Sequence, residues 1–129
     1  MFDNNSIIGL SSSYGSLSGV IISDAKIDVK NGAAVSGSGN PSSFAMLLDA
    51  KDSTGEETIT VDNNSTGVIY YAGKSWIKFS NNANAKEATA HGVRMDNNAT
   101  ITYDSGLANS QFSSGPAGGW DIQSWREVE

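Results

Sequence analysis

The chain has 129 residues, 38% of them hydrophobic and 17% charged, with a formal net charge of −6 and no cysteine. That length fits one domain. The eight basic residues are scattered, so no cationic stripe tracks a nucleic-acid backbone or an anionic bilayer, and disulfide frameworks and thiolate metal sites are excluded.

The polar remainder is mostly Ser, Asn, Thr and Gly. These are turn formers and weak helix formers, so the composition reads as all-β. No apolar run approaches the ~18 residues needed to span a bilayer. The first ten residues, MFDNNSIIGL, lack the basic and apolar regions of a signal peptide. The chain is then either cytosolic or an excised piece of a longer protein; the second is expected, with no membrane contact of its own.

In chain order, residues 1–18 carry Ile7, Ile8, Leu10, Tyr14 and Leu17 and are expected to form an N-terminal cap or partial coil. Four apolar strands then start at regular intervals: GVIIS at 19, SFAMLL at 43, GVIYY at 67 and GVRMD at 92. A steady step of about 24 residues is the mark of a repeat array. Each is followed by an Ile-led strand: IDVKNG at 27, ITVDNN at 59, IKFSNN at 77 and ITYDSG at 101. Period-two alternation puts Ile27, Ile59, Ile77 and Ile101 on one face, together with Val29, Val61, Phe79 and Tyr103. Asp28, Thr60, Lys78 and Thr102 then face water. The Asn and Gly pairs that close each strand suit corners in the left-handed backbone region, and stacked asparagines suit a side-chain amide ladder.

The Ile-led strands are less evenly placed than the apolar ones: the gap from Ile27 to Ile59 is wide and that from Ile59 to Ile77 narrow. The segment 50–57 (AKDSTGEE) reads as an insertion in the second repeat. The best helix candidate, 82–95, falls inside the repeat and is rejected. The expected architecture is a right-handed parallel β-helix of about four coils, occupying 19–106 of a single domain. An antiparallel β-sandwich is the alternative. Residues 107–129, with Trp120, Ile122, Trp125 and Val128 in the segment 118–129, are expected to cap the open end.

Several segments carry a family resemblance. ATITYDSGL (99–107) with SWREV (124–128), and also SGNPSSFAMLLDA (38–50) and GVIYYAGKSWIKFSNN (67–82), resemble the C-terminal domain of PilX-type proteins associated with type IV pilus assembly. The resemblance spans about 38–129. It implies an extracellular or cell-surface structural module that contacts proteins of a pilus or cell envelope, and it brings no catalytic residues. The family's N-terminal apolar helix has no counterpart here, which again points to an exported piece of a longer chain.

No residue is assigned a catalytic, cofactor-binding or metal-binding role. His91 is the only histidine and heads no zinc site. Asp49, Asp52, Glu56, Glu57, Asp62, Asp96 and Asp104 are weighed as sources of a glycosidase pair, which needs two carboxyls across a cleft. The Asn-rich corners at 62–66 and 95–100 lack the spacing of a calcium loop. Thr58/Thr60 and Thr100/Thr102 read as solvent-facing strand threonines. The surface-contact candidates are Trp76, Lys78, Tyr70 and Tyr71, because a tryptophan at an outward position invites a partner. The first functional reading is a non-enzymatic surface module. The alternatives are a glycan-binding or polysaccharide-cleaving β-helix and a subunit that self-associates end to end.

Overall fold

The computed structural model describes residues 1–109 and the strand Gln111–Phe112. The elements are all β apart from single 3₁₀ turns at Ser12–Tyr14 and Ser105–Asn109. The strands are β1 (Ile7–Gly9), β2 (Leu17–Ser23), β3 (Ile27–Val29), β4 (Ala34–Ser36), β5 (Ala45–Asp49), β6 (Glu57–Val61), β7 (Ile69–Phe79), β8 (Asn84–Ala85), β9 (Glu87–Met95), β10 (Thr100–Ile101) and β11 (Gln111–Phe112). Every pairing among the described residues is parallel. The antiparallel sandwich therefore falls. The helix candidate 82–95 forms β8 and β9.

The pairings sort into three ladders. The first runs β11, β2, β5, the start of β7 and the start of β9. The second runs Phe2, β3, β6, the end of β7 and the end of β9. The third runs β1, β4, Thr66, β8 and β10. Successive strands in the chain belong to different ladders. Parallel neighbours thus meet without the helical crossover that an open parallel sheet requires.

Like residues sit over like in the second ladder, where Ile27 pairs with Ile59 and Ile59 with Ile77. These three are 3%, 0% and 0% exposed, and Val29, Val61 and Phe79 are fully buried beside them. Leu47, Tyr70, Val35, Ala33, Ala83 and Ala85 from the other ladders complete this core. Tyr70 meets Phe79 edge-on, with ring centroids 5.4 Å apart.

The repeat is less regular than the sequence suggests. Along the second ladder the stacked partners are Phe2, Val29, Val61, Phe79 and Met95. The sequence step between them is widest from Val29 to Val61 and narrowest from Phe79 to Met95. The shortening steps shift the phase of the last repeat. Gly92–Met95 lies over Trp76–Phe79 rather than over the strand at 67, and Glu87–Ala90 takes that place over Ile69–Ala72. Ile101, expected in the core row above Ile77, pairs with Ala85 on the third ladder and is 37% exposed, and Tyr103 is 68% exposed. At the other end Phe2 and β1, within the 1–18 segment read as a cap or partial coil, supply the first position of the second and third ladders, and β2, which contains GVIIS of the first repeat, supplies that of the first.

One corner recurs five times. Asn4–Asn5, Asn31–Gly32, Asn63–Asn64, Asn81–Asn82 and Asn97–Asn98 all have two consecutive positive φ angles. In each, the N–H after the pair bonds back to the carbonyl before it, as in Ser65 to Asp62 at 3.3 Å and Ala83 to Ser80 at 3.1 Å. This is the pattern of a type I′ turn, which asparagine and glycine tolerate best. The expected amide ladder is present: Asn63 Nδ2 donates to Asn31 Oδ1 at 2.9 Å, Asn97 to Asn81 at 2.9 Å and Asn82 to Asn64 at 3.2 Å. Replacing Asn63 with alanine is expected to cost about 1–2 kcal/mol, since it strains a left-handed residue and removes a ladder bond. Asn63→Gly keeps the φ and is expected to cost less. Equal losses for the two variants in urea unfolding would contradict this account of the corner.

After β10 the described residues run back along the ladders. Asp104 pairs with Lys86 at 3.4 Å, Gly106 lies against the Pro41 carbonyl, and Leu107 packs on Phe44, Val68 and Ile69. Gln111–Phe112 then pairs with Leu17–Ser18. The strap formed by 102–109 and 111–112 thus touches strands from the last ladder position to the first. The segment 118–129 read as a cap lies outside the described residues.

Candidate functional surface

The four predicted contact residues do not form one site. Tyr70 is 0% exposed and belongs to the core, because it pairs with Leu47 on the inward row of the first ladder. It is therefore not a surface contact. Burial pushes its phenol well above the usual tyrosine range, and among the described residues its hydroxyl has no hydrogen-bond partner. Tyr71, the next residue, is 40% exposed on the outer face of the first ladder. Trp76 and Lys78 lie on the second ladder, beyond the bend at Gly73–Ser75. Lys78 is half-buried.

Trp76 is half-buried against its own fold. Its backbone N–H donates to the Glu56 carbonyl at 2.8 Å. Its ring lies against Gly92 of the next strand, where an added Cβ would fall 2.6 Å from three ring atoms. His91 meets the ring edge-on with centroids 6.2 Å apart. Gly92 thus makes room for the indole. Lys78 sits in register between Thr60 and Arg94. A register shift between Glu57 and Ile59 puts Glu57 opposite Trp76 and turns Thr58 inward, where it is 2% exposed. The reading of Thr58 as solvent-facing is corrected by this bulge.

The carboxylates weighed for catalysis hold turns and cross-links. Asp49, 3% exposed, accepts from Thr58 Oγ1 at 2.6 Å and from the Lys51 and Asp52 N–H groups at 2.9 and 3.2 Å, which anchors the 50–57 insertion. Asp52 pairs with Lys74, Glu56 with Lys51 and Glu57 with Arg94, at 3.4, 2.6 and 2.7 Å. Burial opposes ionisation of Asp62, but donors from Asn81, Ser80 and the Asn63 N–H outweigh it and hold the carboxyl below its ordinary value. The Gly106 N–H, aided by Lys86, does the same for Asp104. Among the described residues no group of three or more His, Cys, Asp or Glu is placed to hold a metal ion.

The most distinctive surface is one that site reasoning from sequence passes over. On the outer face of the first ladder Val20 pairs with Met46, and Ile22 with Leu48 and then Tyr71. Ile22 is 65% exposed, Val20 39% and Tyr71 40%. Met46 and Leu48 are half-buried. The result is an apolar sheet face spanning three strands, rare on the surface of an isolated domain. Its signal lies in the runs GVIIS and SFAMLL, which are apolar at both alternations; such strands touch something on each face. The neighbouring position Ile69 shows what cover does: under Leu107 of the strap it is only 4% exposed.

No protein-family model, curated protein or solved structure matches the chain.

Proposed function

We propose that the three ladders are the sides of a right-handed parallel β-helix and that the chain is a non-enzymatic structural module with a protein-binding face. The in-register pairing of Ile27, Ile59 and Ile77 supports the helical reading, and parallel crossovers are nearly always right-handed. The coils are unequal, longest between Val29 and Val61 and shortest between Phe79 and Met95, in place of the even spacing of the sequence. A column of stacked strands is stiff along its axis, which suits a spacer or tip element. An extracytoplasmic, pilus-associated setting is the one that the PilX-type likeness implies, and it remains part of the proposal.

The observation that carries the binding role is the apolar face of Val20, Ile22, Met46, Leu48 and Tyr71. The structural engagement of Asp49, Asp62 and Asp104 supports a non-enzymatic reading over polysaccharide cleavage. The packing of the half-buried Trp76 ring against Gly92 and His91 likewise weighs against a sugar platform on that ring. The test is the double variant Ile22→Asp, Tyr71→Asp. It is expected to keep its circular dichroism and melting behaviour while co-sedimentation with piliated source cells falls at least tenfold. Undiminished co-sedimentation of the folded variant would remove this face from the function. Self-association is a second reading, favoured by the open outer edges of β9 and β10 among the described residues.

A further inference from the structure

The corners have a direction. Going up the stack, the second residue of each turn donates its N–H to the first turn residue of the next: Asn5 to Asn31, Gly32 to Asn63, Asn64 to Asn81 and Asn82 to Asn97, all at 2.8–3.0 Å. Each first-position asparagine donates its side-chain amide in the opposite sense. Where the turn below opens with aspartate, the acceptor is that aspartate: Asn31 bonds Asp3 at 2.5 Å and Asn81 bonds Asp62 at 2.6 Å. Where it opens with Lys30 or Ser80, the acceptor is the asparagine below. Among the described residues, the upper end is left with the Asn98 N–H and the Asp96 carboxylate unpaired. The lower end is left with the Asn4 carbonyl and the Asn4 side-chain amide unpaired. Each end lacks what the other offers.

The strand edges match in the same way. The second ladder ends in Phe2 below and Met95 above, and the third in Ile8 below and Ile101 above. Met95 is 44% and Ile101 37% exposed. On the first ladder the lower edge is occupied at Leu17–Ser18 by β11, so a junction would form on the other two. One feature resists it. The turn-opening row reads Asp3, Lys30, Asp62, Ser80, Asp96, so that within the chain no acid sits on an acid. Lys30 lies 3.9 Å from Asp3, and Ser80 donates to Asp62 at 3.0 Å. A second copy would set its Asp3 directly on Asp96, and like charges opposite each other are destabilising.

We propose that this chain stacks head to tail with a second copy, Phe2 and β1 of one seated on β9 and β10 of the next, and that Asp3 against Asp96 restrains the stacking. The proposal rests on reading the three ladders as one coiled column. Five strand positions at about 4.8 Å give a repeat of roughly 24 Å per copy, and salt that screens the acid pair promotes assembly.

The test compares the 129-residue chain with Asp96→Asn by sedimentation velocity at pH 7 in low and high salt. Asp96→Asn is expected to form linear stacks at a protein concentration at least tenfold lower than the parent, and high salt to narrow the difference. In the Asp96→Asn background, an Ile8→Cys, Ile101→Cys pair is expected to give a ladder of disulfide-linked multimers. Within one copy these positions lie four strand steps apart, about 19 Å, beyond the reach of a disulfide. Equal assembly of parent and Asp96→Asn overturns the acid restraint. Monomers at every concentration, or aggregates without the 8–101 link, overturn the stacking. A Thr60→Cys, Lys78→Cys pair reports the column itself within a monomer, so a chain that forms this link yet never stacks contradicts only the present proposal.

Discussion

Truncating Phe79 to alanine is expected to destabilise the fold by about 3–5 kcal/mol. Phe79 is fully buried and lies where the second ladder meets the ring of Tyr70. It sits between Val61 below and Met95 above, both in register. Backbone hydrogen bonds of both ladders hold these neighbours in place, so the cavity cannot close by a strand shift without breaking pairs on either side. Large aromatic deletions with little relaxation fall at the upper end of the range. Chemical denaturation should show a reduced midpoint with an unchanged slope. A loss below about 1 kcal/mol would mean that the core is not where the ladders put it.

Adding one methyl group at Gly67 is expected to cost about as much as the largest overpacking changes, near 3 kcal/mol. A Cβ at Gly67 would lie 1.7 Å from the Tyr70 hydroxyl and 2.4 Å from its ring carbon. The ring has no room to retreat, since it is 0% exposed and held edge-on by Phe79. Tyr70→Leu in the Gly67→Ala background is expected to recover part of the loss, a coupling above about 1 kcal/mol in a double-mutant cycle. Additive losses would show that Tyr70 does not point at Gly67. The same contact explains why GVIYY begins with glycine, which alternation alone does not.

These two positions also show where the sequence is legible. Ile27, Ile59 and Ile77 read correctly because alternation and a shared corner both mark them, and the asparagine corners read correctly because only a few residues accept their φ. Tyr70 does not, because alternation sets one of Tyr70 and Tyr71 outward without saying which, and the outward one is Tyr71. In β7 the strap covers the outward residue Ile69, so Ile69 and Tyr70 are both buried. The strap is a long-range return with no local signature. Gly92–Met95 departs from its expected place for another reason. A run of evenly spaced apolar strands hides sequence steps between paired residues that shorten sharply from Val29–Val61 to Phe79–Met95. Phe2 to Ser6 holds a signal that the apolar pattern obscures. Its Asp-Asn-Asn-Ser is identical to residues 62–65, and both turn in the same way.

For the site, the sequence marks Trp76 as a departure from the repeat, and the structure gives the cause as a bulge before Ile59 and a glycine above the indole. The apolar face is hidden because its residues read equally well as core.

Strands far apart in sequence pair in register, and we read them as successive turns of one column. Disulfide trapping in the cysteine-free chain tests this reading most directly. Thr60→Cys with Lys78→Cys joins facing outward positions on neighbouring strands of the second ladder, within the Cα separation a disulfide accepts. Asp28→Cys with Arg94→Cys uses the same row but lies three strand steps apart, about 14 Å. The account predicts that the first pair closes rapidly and completely within the monomer and raises its stability, while the second stays reduced. Failure of the 60–78 link in folded protein, or a 28–94 link of equal yield, would contradict it.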